Sequence, residues 1–148
     1  MRYLSVCSGI EAASCAWHPL GWEAVAFSEI EPFPCRVLQH RFPSVPNVGD
    51  MTKINGGDYR GAVDLLVGGT PCQDFSVAGK RAGLDGERSR LARDFARLLQ
   101  EIRPRWFVWE NVPGAFSTHS GRDFGAFLGT LADLGFGVAW RVLDAQFW

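Results

Sequence analysis

Short apolar runs separated by turn residues dominate the first half of the chain, a pattern typical of buried strands. We predict strands at residues 3–7, 25–28, 45–48 and 64–67, the third of them weak. Helical spacing fills two of the intervals, at residues 11–17 and at residues 32–42, where Pro32 opens the helix and Pro43 closes it. Strands that alternate with helices in this way indicate an α/β fold.

The second half carries two stronger helical patterns. The apolar face of the first helix consists of Leu91, Phe95, Leu98, Leu99 and Ile102. The apolar face of the second consists of Phe124, Phe127, Leu128, Leu131 and Leu134. Ser89 suits the N-cap of the first helix and Pro104 ends it, while Gly135 ends the second. With two more strands at residues 106–109 and 136–143, the chain is expected to form a single α/β domain, its sheet mostly parallel and flanked by helices.

Composition places the chain among soluble globular proteins. Of its 148 residues, 47% are hydrophobic and 21% are charged, and no apolar run approaches the roughly 18 residues of a membrane span. The first strand lacks the longer apolar core of a signal peptide, so we expect a cytoplasmic protein without a membrane partner. The four cysteines form no CxxC pair and have no histidine at a zinc-like spacing, so no metal site is predicted.

Charge gives only a weak sign of nucleic-acid binding. The net charge is −1, but residues 80–105 contain eight basic and four acidic residues. Such a stretch can face phosphates, although a solvated helix face, with Arg90, Arg93 and Arg97 on its outer side, explains half of it equally well. Charge alone therefore does not identify a DNA-binding protein.

Polar and glycine residues follow each of the first five predicted strands. They are Ser8-Gly9, Glu29, Asp50, Pro71-Cys72 and Glu110-Asn111. Because open parallel sheets bind ligands at the carboxyl ends of their strands, these residues predict one site at one edge of the sheet.

The first three of these positions suit a nucleoside-shaped ligand. Gly9 lets the backbone approach the ligand, and Glu29 is placed to bind ribose hydroxyls. Ile30 can lie against an adenine face, and Asp50 can accept a hydrogen bond from an exocyclic amine. The dinucleotide motif GxGxxG is absent and Glu11 would repel a pyrophosphate, so an adenosyl group without phosphates fits better.

The loop at residues 68–76 surrounds one thiol, that of Cys72, with two glycines and a proline. A thiolate attacks electron-poor carbon, and Glu110 at the end of the adjacent strand supplies a carboxyl group. A nucleophilic thiol beside a protonatable carboxyl fits addition to an aromatic heterocycle. The alternative is an ordinary loop cysteine beside a strand-end acid.

These residues resemble a known family, the cytosine-5 DNA methyltransferases of bacteria and phages. The resemblance is carried by Thr70-Pro71-Cys72-Gln73, Phe75-Ser76, Gly79 and Glu110-Asn111-Val112, in this order. Residues 5–10 resemble the family's first cofactor motif, Glu29 its ribose-binding acid, and Gly49-Asp50-Met51 its adenine-contacting motif. The chain departs from the family at Cys7, usually Phe, and at Glu11, usually a second Gly.

The resemblance implies a Rossmann-like methyltransferase core that uses S-adenosylmethionine on double-stranded DNA. Cys72 would add to carbon 6 of a flipped cytosine while Glu110 protonates ring nitrogen 3. The cofactor-binding residues it implies are Cys7, Ser8, Gly9, Ile10, Glu29, Ile30, Asp50, Met51 and Pro71. The substrate-binding residues it implies are Gln73, Ser76, Asn111 and Val112.

The resemblance also implies a strand order, three-two-one-four-five, with the sixth strand beyond a seventh that this chain does not encode. Residues 141–147 resemble the strand before the family's Gln-Arg-rich catalytic motif. By this resemblance, the recognition domain and the last cofactor-binding helix are not expected within these 148 residues. We therefore expect an incomplete catalytic domain that is inactive alone, with a second polypeptide as one way of supplying the rest.

Three alternatives stay open at this point. One is cytosine methylation of tRNA, which a related branch performs with similar motifs. Another is a non-catalytic remnant, or one subunit of a split enzyme. The third, a nicotinamide-dependent oxidoreductase, is disfavoured because GxGxxG is absent.

Overall fold

Four parallel strands form the sheet in this computed structural model, which describes residues 1–70, 90–144 and 146. The strands are β1 (Arg2–Val6), β2 (Glu23–Ser28), β3 (Leu65–Gly69) and β4 (Trp106–Glu110). Their order is β2-β1-β3-β4, and each neighbouring pair is parallel. The sequence-based order is confirmed for these four strands, which correspond to the predicted first, second, fourth and fifth.

In the described part of the chain, four α-helices connect or follow the strands, together with short 3₁₀ turns. They are α1 (Ala12–Trp17), α2 (Pro32–Arg41), α3 (Arg90–Ile102) and α4 (Arg122–Asp133). Pro32 occupies the first turn of α2, where a missing N–H costs nothing, as its sequence position predicts. The predicted N-cap of α3, Ser89, lies outside the described residues.

The main core lies between the sheet and α3. The predicted apolar face of α3 is buried, with Phe95, Leu98, Leu99 and Ile102 all fully covered. This face packs with strand residues such as Leu4 and Leu66 in one cluster. On the opposite side, Tyr3, Leu65 and Val67 form a smaller cluster against α1, where Tyr3 meets Trp17 edge to face at 5.1 Å.

The predicted third strand, residues 45–48, is wrong as a strand. It makes an isolated parallel bridge in which Phe27 pairs with Asn47. Pro46 has no N–H to give to a ladder, although its carbonyl accepts from the Phe27 N–H at 2.9 Å. The segment nevertheless lies beside β2, the position that the predicted strand order gives it.

The predicted sixth strand, residues 136–143, is also wrong as a strand. A groove of about 840 Å³ is lined by this segment together with α4 and β4. A strand needs a hydrogen-bonded neighbour, and this one has none among the described residues. Among the described residues, β4 is an edge strand, and its Trp106 and Val108 are exposed.

Candidate functional site

The strand register brings four strand ends to one edge of the sheet. Val6 lies opposite Ser28 on one side and opposite Gly68 on the other. Gly69 in turn lies opposite Glu110. The residues that follow β1, β2, β3 and β4 therefore meet at one edge, as the sequence predicts.

The turn after β1 is held against the end of β2 by Ser8. The Ser8 N–H donates to the Ser28 carbonyl at 3.1 Å, and the Ser28 N–H donates to Ser8 Oγ at 3.1 Å. Ser8 Oγ itself donates to the Ser5 carbonyl at 2.9 Å. Both Cys7 and Gly9 have positive φ angles, 49° and 55°, so the chain turns sharply here.

The Glu29 carboxylate is fixed by three backbone N–H groups. Gly9 donates to Oε2 at 2.8 Å, and Ile30 and Glu31 both donate to Oε1 at 2.8 Å. Charge-assisted bonds of this kind orient the carboxylate at the ligand edge. Ile10 and Ile30 expose 54% and 64% of their surface, leaving apolar cover for a flat ring. The arrangement fits an adenosyl group.

Asp50 and the residues around it form the next part of the site. Asp50 Oδ1 accepts from the Thr52 N–H at 2.9 Å and from Thr52 Oγ1 at 2.8 Å. Met51, the other cofactor candidate on this segment, is buried, and its Sδ accepts from Cys7 Sγ at 3.4 Å. Ser28 Oγ donates to the Gly49 carbonyl at 2.6 Å and ties the segment to β2.

Asn47 is a site residue that sequence reasoning missed. Its Oδ1 accepts from the N–H groups of Glu29 and Gly49, at 3.0 and 3.2 Å. Its Nδ2 donates to the Glu29 carbonyl at 3.1 Å. Asn two residues before a glycine is the sequence pattern of an Asx turn, and that signal was available.

Glu11, whose charge the sequence analysis expects to repel a pyrophosphate, is buried. Only 1% of it is exposed, and its backbone is left-handed, with φ 66°. Oε1 accepts from the Ser14 N–H at 3.0 Å and caps α1, while the buried Oε2 has no hydrogen-bond partner among the described residues. Burial raises the pKa of Glu11 and outweighs the opposing effects of the Ser5 side chain and of the Ser14 backbone and side chain. Glu11 therefore caps a helix and presents no exposed charge at the turn.

The ends of β3 and β4 are tied together at Thr70, which is buried. Asn111 Nδ2 donates to the Thr70 carbonyl at 3.0 Å, and Trp109 Nε1 donates to Thr70 Oγ1 at 3.1 Å. Asn111 Oδ1 accepts from the N–H of Val112, whose side chain is exposed. Asn111 thus anchors the residue that leads into the Cys72 loop, and its substrate-binding role stays a prediction.

Part of the candidate site lies outside the described residues. This part contains Pro71, Cys72, Gln73 and Ser76. Their proposed roles stay predictions from the sequence. Glu110 is described, and it lies at the exposed end of β4 beside Gly69.

In residues 1–70 and 90–144, no three His, Cys, Asp or Glu side chains are grouped closely enough to hold a metal ion. Over the same residues, no helix has the length and apolar character needed to cross a membrane.

A family model described as C-5 cytosine-specific DNA methylase matches residues 1–148, the whole chain. The chain belongs to this family. The predicted family is thereby confirmed, and the Rossmann-like fold class agrees with the parallel sheet and its flanking helices.

Two curated relatives and one solved structure illustrate the similarity. The type II methyltransferase M.NgoBV of Neisseria gonorrhoeae is 40% identical over 146 residues, covering 93% of this chain and 34% of the relative. A protein of Escherichia phage P1 named DNA N-6-adenine-methyltransferase is 51% identical over 142 residues, covering 88% of this chain and 19% of the relative. An E. coli prophage DNA modification methyltransferase has a TM-score of 0.72 at 24% identity, covering 90% of this chain and 38% of that one.

The chain spans about a third of the length of the type II relative and a fifth of the phage protein. Methyl transfer is the chemistry common to the names of the family and these relatives. The base that receives the methyl group differs between those names.

Proposed function

We propose that the chain is the cofactor-binding and nucleophile-bearing part of a cytoplasmic DNA cytosine-5 methyltransferase. One observation carries the proposal: the Gly9–Glu29 hydrogen bond and the Glu110 carboxyl belong to strand ends at the same edge of the sheet. A cofactor and a reacting base have to meet at one such edge.

S-adenosylmethionine supplies an electrophilic methyl group on a sulfonium when it is bound. Glu29 binds the ribose hydroxyls, Ile30 covers the adenine, and Asp50 accepts from the adenine amine. The residues expected to complete the cofactor contacts are Cys7, Ser8, Gly9, Ile10, Met51 and Pro71. The backbone bonds to Glu29 support this assignment because they leave the carboxylate oriented before ligand binds.

Cys72 and Glu110 carry the reaction on the base. The Cys72 thiolate forms a bond to carbon 6 of cytosine while Glu110 gives a proton to ring nitrogen 3. The electron pair thereby released makes carbon 5 nucleophilic, so that it would take the methyl group as the methyl–sulfonium bond breaks and the neutral thioether leaves. A base then removes the proton from carbon 5, the bond to Cys72 breaks, and nitrogen 3 returns its proton.

Adenine N6 methylation is the second candidate, favoured by the name of the phage P1 relative. An exocyclic amine attacks a methyl sulfonium directly, so this reaction needs no thiol adduct. The Thr70-Pro71-Cys72-Gln73 run and the family match over the whole chain favour cytosine. The matched segment is only 19% of the phage protein, so four-fifths of that protein lies outside the comparison.

We propose that DNA binding and turnover require more protein than these 148 residues. The type II relative is about three times as long, and β4 is an edge strand among the described residues. The groove between β4 and residues 136–143 is where a further strand, from the same or a second polypeptide, would pair. Gln73, Ser76, Asn111 and Val112 would contact the DNA, with the basic residues of 80–105 other than Arg97 facing phosphates.

The direct test is transfer from tritiated S-adenosylmethionine to mixed-sequence DNA, with tRNA in a parallel reaction. Nucleosides are then separated to identify the methylated base. We expect the 148-residue chain to bind S-adenosylmethionine weakly and transfer no methyl group, and the protein with its remaining part to yield 5-methylcytosine in DNA. N6-methyladenine, or methylated tRNA alone, would overturn the cytosine-5 DNA assignment. Strong transfer by the monomeric 148-residue chain would refute the need for a further part.

Substitutions at two neighbouring glycines of β3 are expected to affect stability and activity differently. A Cβ on Gly68 would lie 2.6 Å from Val6 Cγ2 and 2.7 Å from the Val6 carbonyl, so Gly68→Ala must push adjacent strands apart. We expect a loss of about 1–3 kcal/mol in the free energy of unfolding, measured with urea. A Cβ on Gly69 would lie 2.6 Å from Glu110 Oε2, a mobile side-chain end.

Gly69→Ala should therefore keep most of the stability but displace the Glu110 carboxylate. We expect turnover to fall about 10- to 100-fold, because small misplacements of a catalytic group are costly. Turnover of the active protein and urea unfolding of the same preparation give the two readouts. Equal losses of stability in both variants, with turnover unchanged in Gly69→Ala, would contradict the placement of Glu110.

A further inference from the structure

Arg97 lies on α3 but binds the segment that follows Asp50. Its guanidinium donates to the backbone carbonyls of Met51 (3.2 Å), Thr52 (3.5 Å) and Ile54 (2.9 Å). The helical pattern predicts Arg97 on the outer, solvated face, and the structure corrects this because only 31% of its side chain is exposed. Arg97 therefore joins two parts of the chain that are more than forty residues apart.

Two carboxylates on α3 hold the guanidinium in place. Asp94 Oδ1 accepts from Nε at 3.1 Å, one turn before Arg97, and Glu101 Oε2 accepts from Nη1 at 3.0 Å, one turn after it. Glu101 Oε2 also accepts from the Gly56 N–H at 2.8 Å. Burial alone would raise the pKa of Glu101, but the Gly56 and Arg97 bonds outweigh it and lower that pKa. Glu101 thus stays charged and holds both α3 and the loop.

The loop approaches α3 so closely that a side chain at Gly56 is excluded. A Cβ there would lie 2.6 Å from Glu101 Cβ and 3.2 Å from Ile102 Cγ1. This contact and the Arg97 bonds fix the loop at both of its ends. The path of residues 51–56 is therefore held by contacts with α3 as well as by the loop's own 3₁₀ turn.

The same segment carries the Asp50 carboxylate. Asp50 Oδ1 accepts from Thr52 and starts the 3₁₀ turn Met51–Lys53, whose carbonyls are among those that Arg97 binds. Because the turn and the carboxylate are joined by this cap, a shift of the turn rotates the carboxylate. The orientation of Asp50 then depends on Arg97. Among the proposed cofactor-binding residues in the described part of the chain, Arg97 contacts only those of this segment.

We propose that Arg97 is a positioning residue for recognition of the adenine amine of the cofactor. It holds the Met51–Lys53 turn so that the Asp50 carboxylate faces the amine. This inference rests on the proposed function, because it takes Asp50 as the acceptor for that amine. The planar guanidinium reaches several carbonyls and both carboxylates at once, a geometry that the single ammonium of lysine does not reproduce.

The test compares two ligands that differ at the adenine amine. S-adenosylhomocysteine has the amine, whereas S-inosylhomocysteine has an oxygen in its place, which the Asp50 carboxylate would repel. Dissociation constants for both are measured by calorimetry on the active protein, the chain together with its remaining part, for wild type, Arg97→Lys and the matched variant Arg93→Lys, one turn earlier on α3. We expect wild type and Arg93→Lys to prefer the adenosyl ligand by roughly tenfold or more. Arg97→Lys should reduce this preference to about two- to threefold or less.

The ratio of the two dissociation constants distinguishes a positioning role of Arg97 from a purely stabilising one. If Arg97 only joins helix to loop, Arg97→Lys weakens both ligands equally and the preference is kept, which overturns the inference while leaving the proposed function intact. Wild type that binds neither ligand, or both equally, contradicts the proposed cofactor site and the inference with it. Should Arg97→Lys fail to fold by circular dichroism, Glu101→Gln removes the charge that holds Arg97, and the same loss of preference is expected.

Discussion

Cys72→Ser is expected to abolish covalent trapping on DNA that contains 5-fluorocytosine. Fluorine at carbon 5 replaces the proton whose loss would release the enzyme, so an adduct through Cys72 accumulates in the active protein. A serine hydroxyl is ionised far less readily than a thiol, and only the ionised form adds well to carbon 6. We expect turnover to fall by about 10⁴-fold or more, the scale seen when a nucleophile is removed.

Trapping is measured as a complex that survives denaturing electrophoresis. Cys15→Ser is the matched control, because Cys15 is an exposed thiol on α1. It should trap DNA as wild type does. An adduct that persists in Cys72→Ser would place the nucleophile elsewhere. An enzyme that methylates without any trapping in wild type would favour direct attack by an exocyclic amine, and with it the adenine alternative.

The sequence was sufficient to predict most of the sheet and the edge at which the site forms. Strands buried on both faces give continuous apolar runs, and the residues after β1, β2 and β4 change character abruptly. This change from apolar to polar residues is enough to identify Glu29 and Glu110 as candidate site residues. Parallel pairing then brings their strand ends together, whichever side chains occupy the helices.

The two predicted strands that failed depend on neighbours. Alternation at residues 136–143 describes a segment that is able to pair, but pairing needs a partner strand next to it. Residues 45–48 contain apolar side chains, yet Pro46 removes a donor, and Asn47 binds Glu29 instead of continuing a ladder. The hydrophobic periodicity of the sequence shows neither the missing partner strand nor the effects of Pro46 and Asn47.

The details of the site that were missed depend on contacts and backbone angles that residue spacing does not reveal. Arg97 looks like a solvated charge on a helical wheel, because its binding partners are carbonyls of a distant loop. Glu11 looks like an exposed acid, because nothing local reveals a left-handed backbone that turns its carboxyl onto α1. Every residue has a backbone carbonyl, so a sequence does not show which carbonyls a side chain binds. The residues that bind them are therefore the hardest to assign.

Glu110→Gln is expected to lower turnover by about 10²–10⁴-fold, the usual contribution of a general acid or base. Glutamine keeps the size of the side chain and its place beside Gly69, but it has no proton to give to ring nitrogen 3. Without that proton, addition of Cys72 to carbon 6 leaves negative charge on the ring that nothing neutralises, so the adduct forms far less readily. The affinity for S-adenosylmethionine should hardly change, because Glu29 and Asp50, rather than Glu110, are the proposed cofactor acids.

Turnover and cofactor affinity are therefore measured on the same preparations of the active protein. Glu23→Gln is the matched control, because Glu23 is exposed at the start of β2, the end of the strand remote from the site. It should leave both quantities unchanged. Trapping on 5-fluorocytosine DNA adds a third readout, since slower addition in Glu110→Gln should slow adduct formation in proportion to turnover. Loss of cofactor binding with turnover preserved would reverse the assignment and make Glu110 part of the cofactor site.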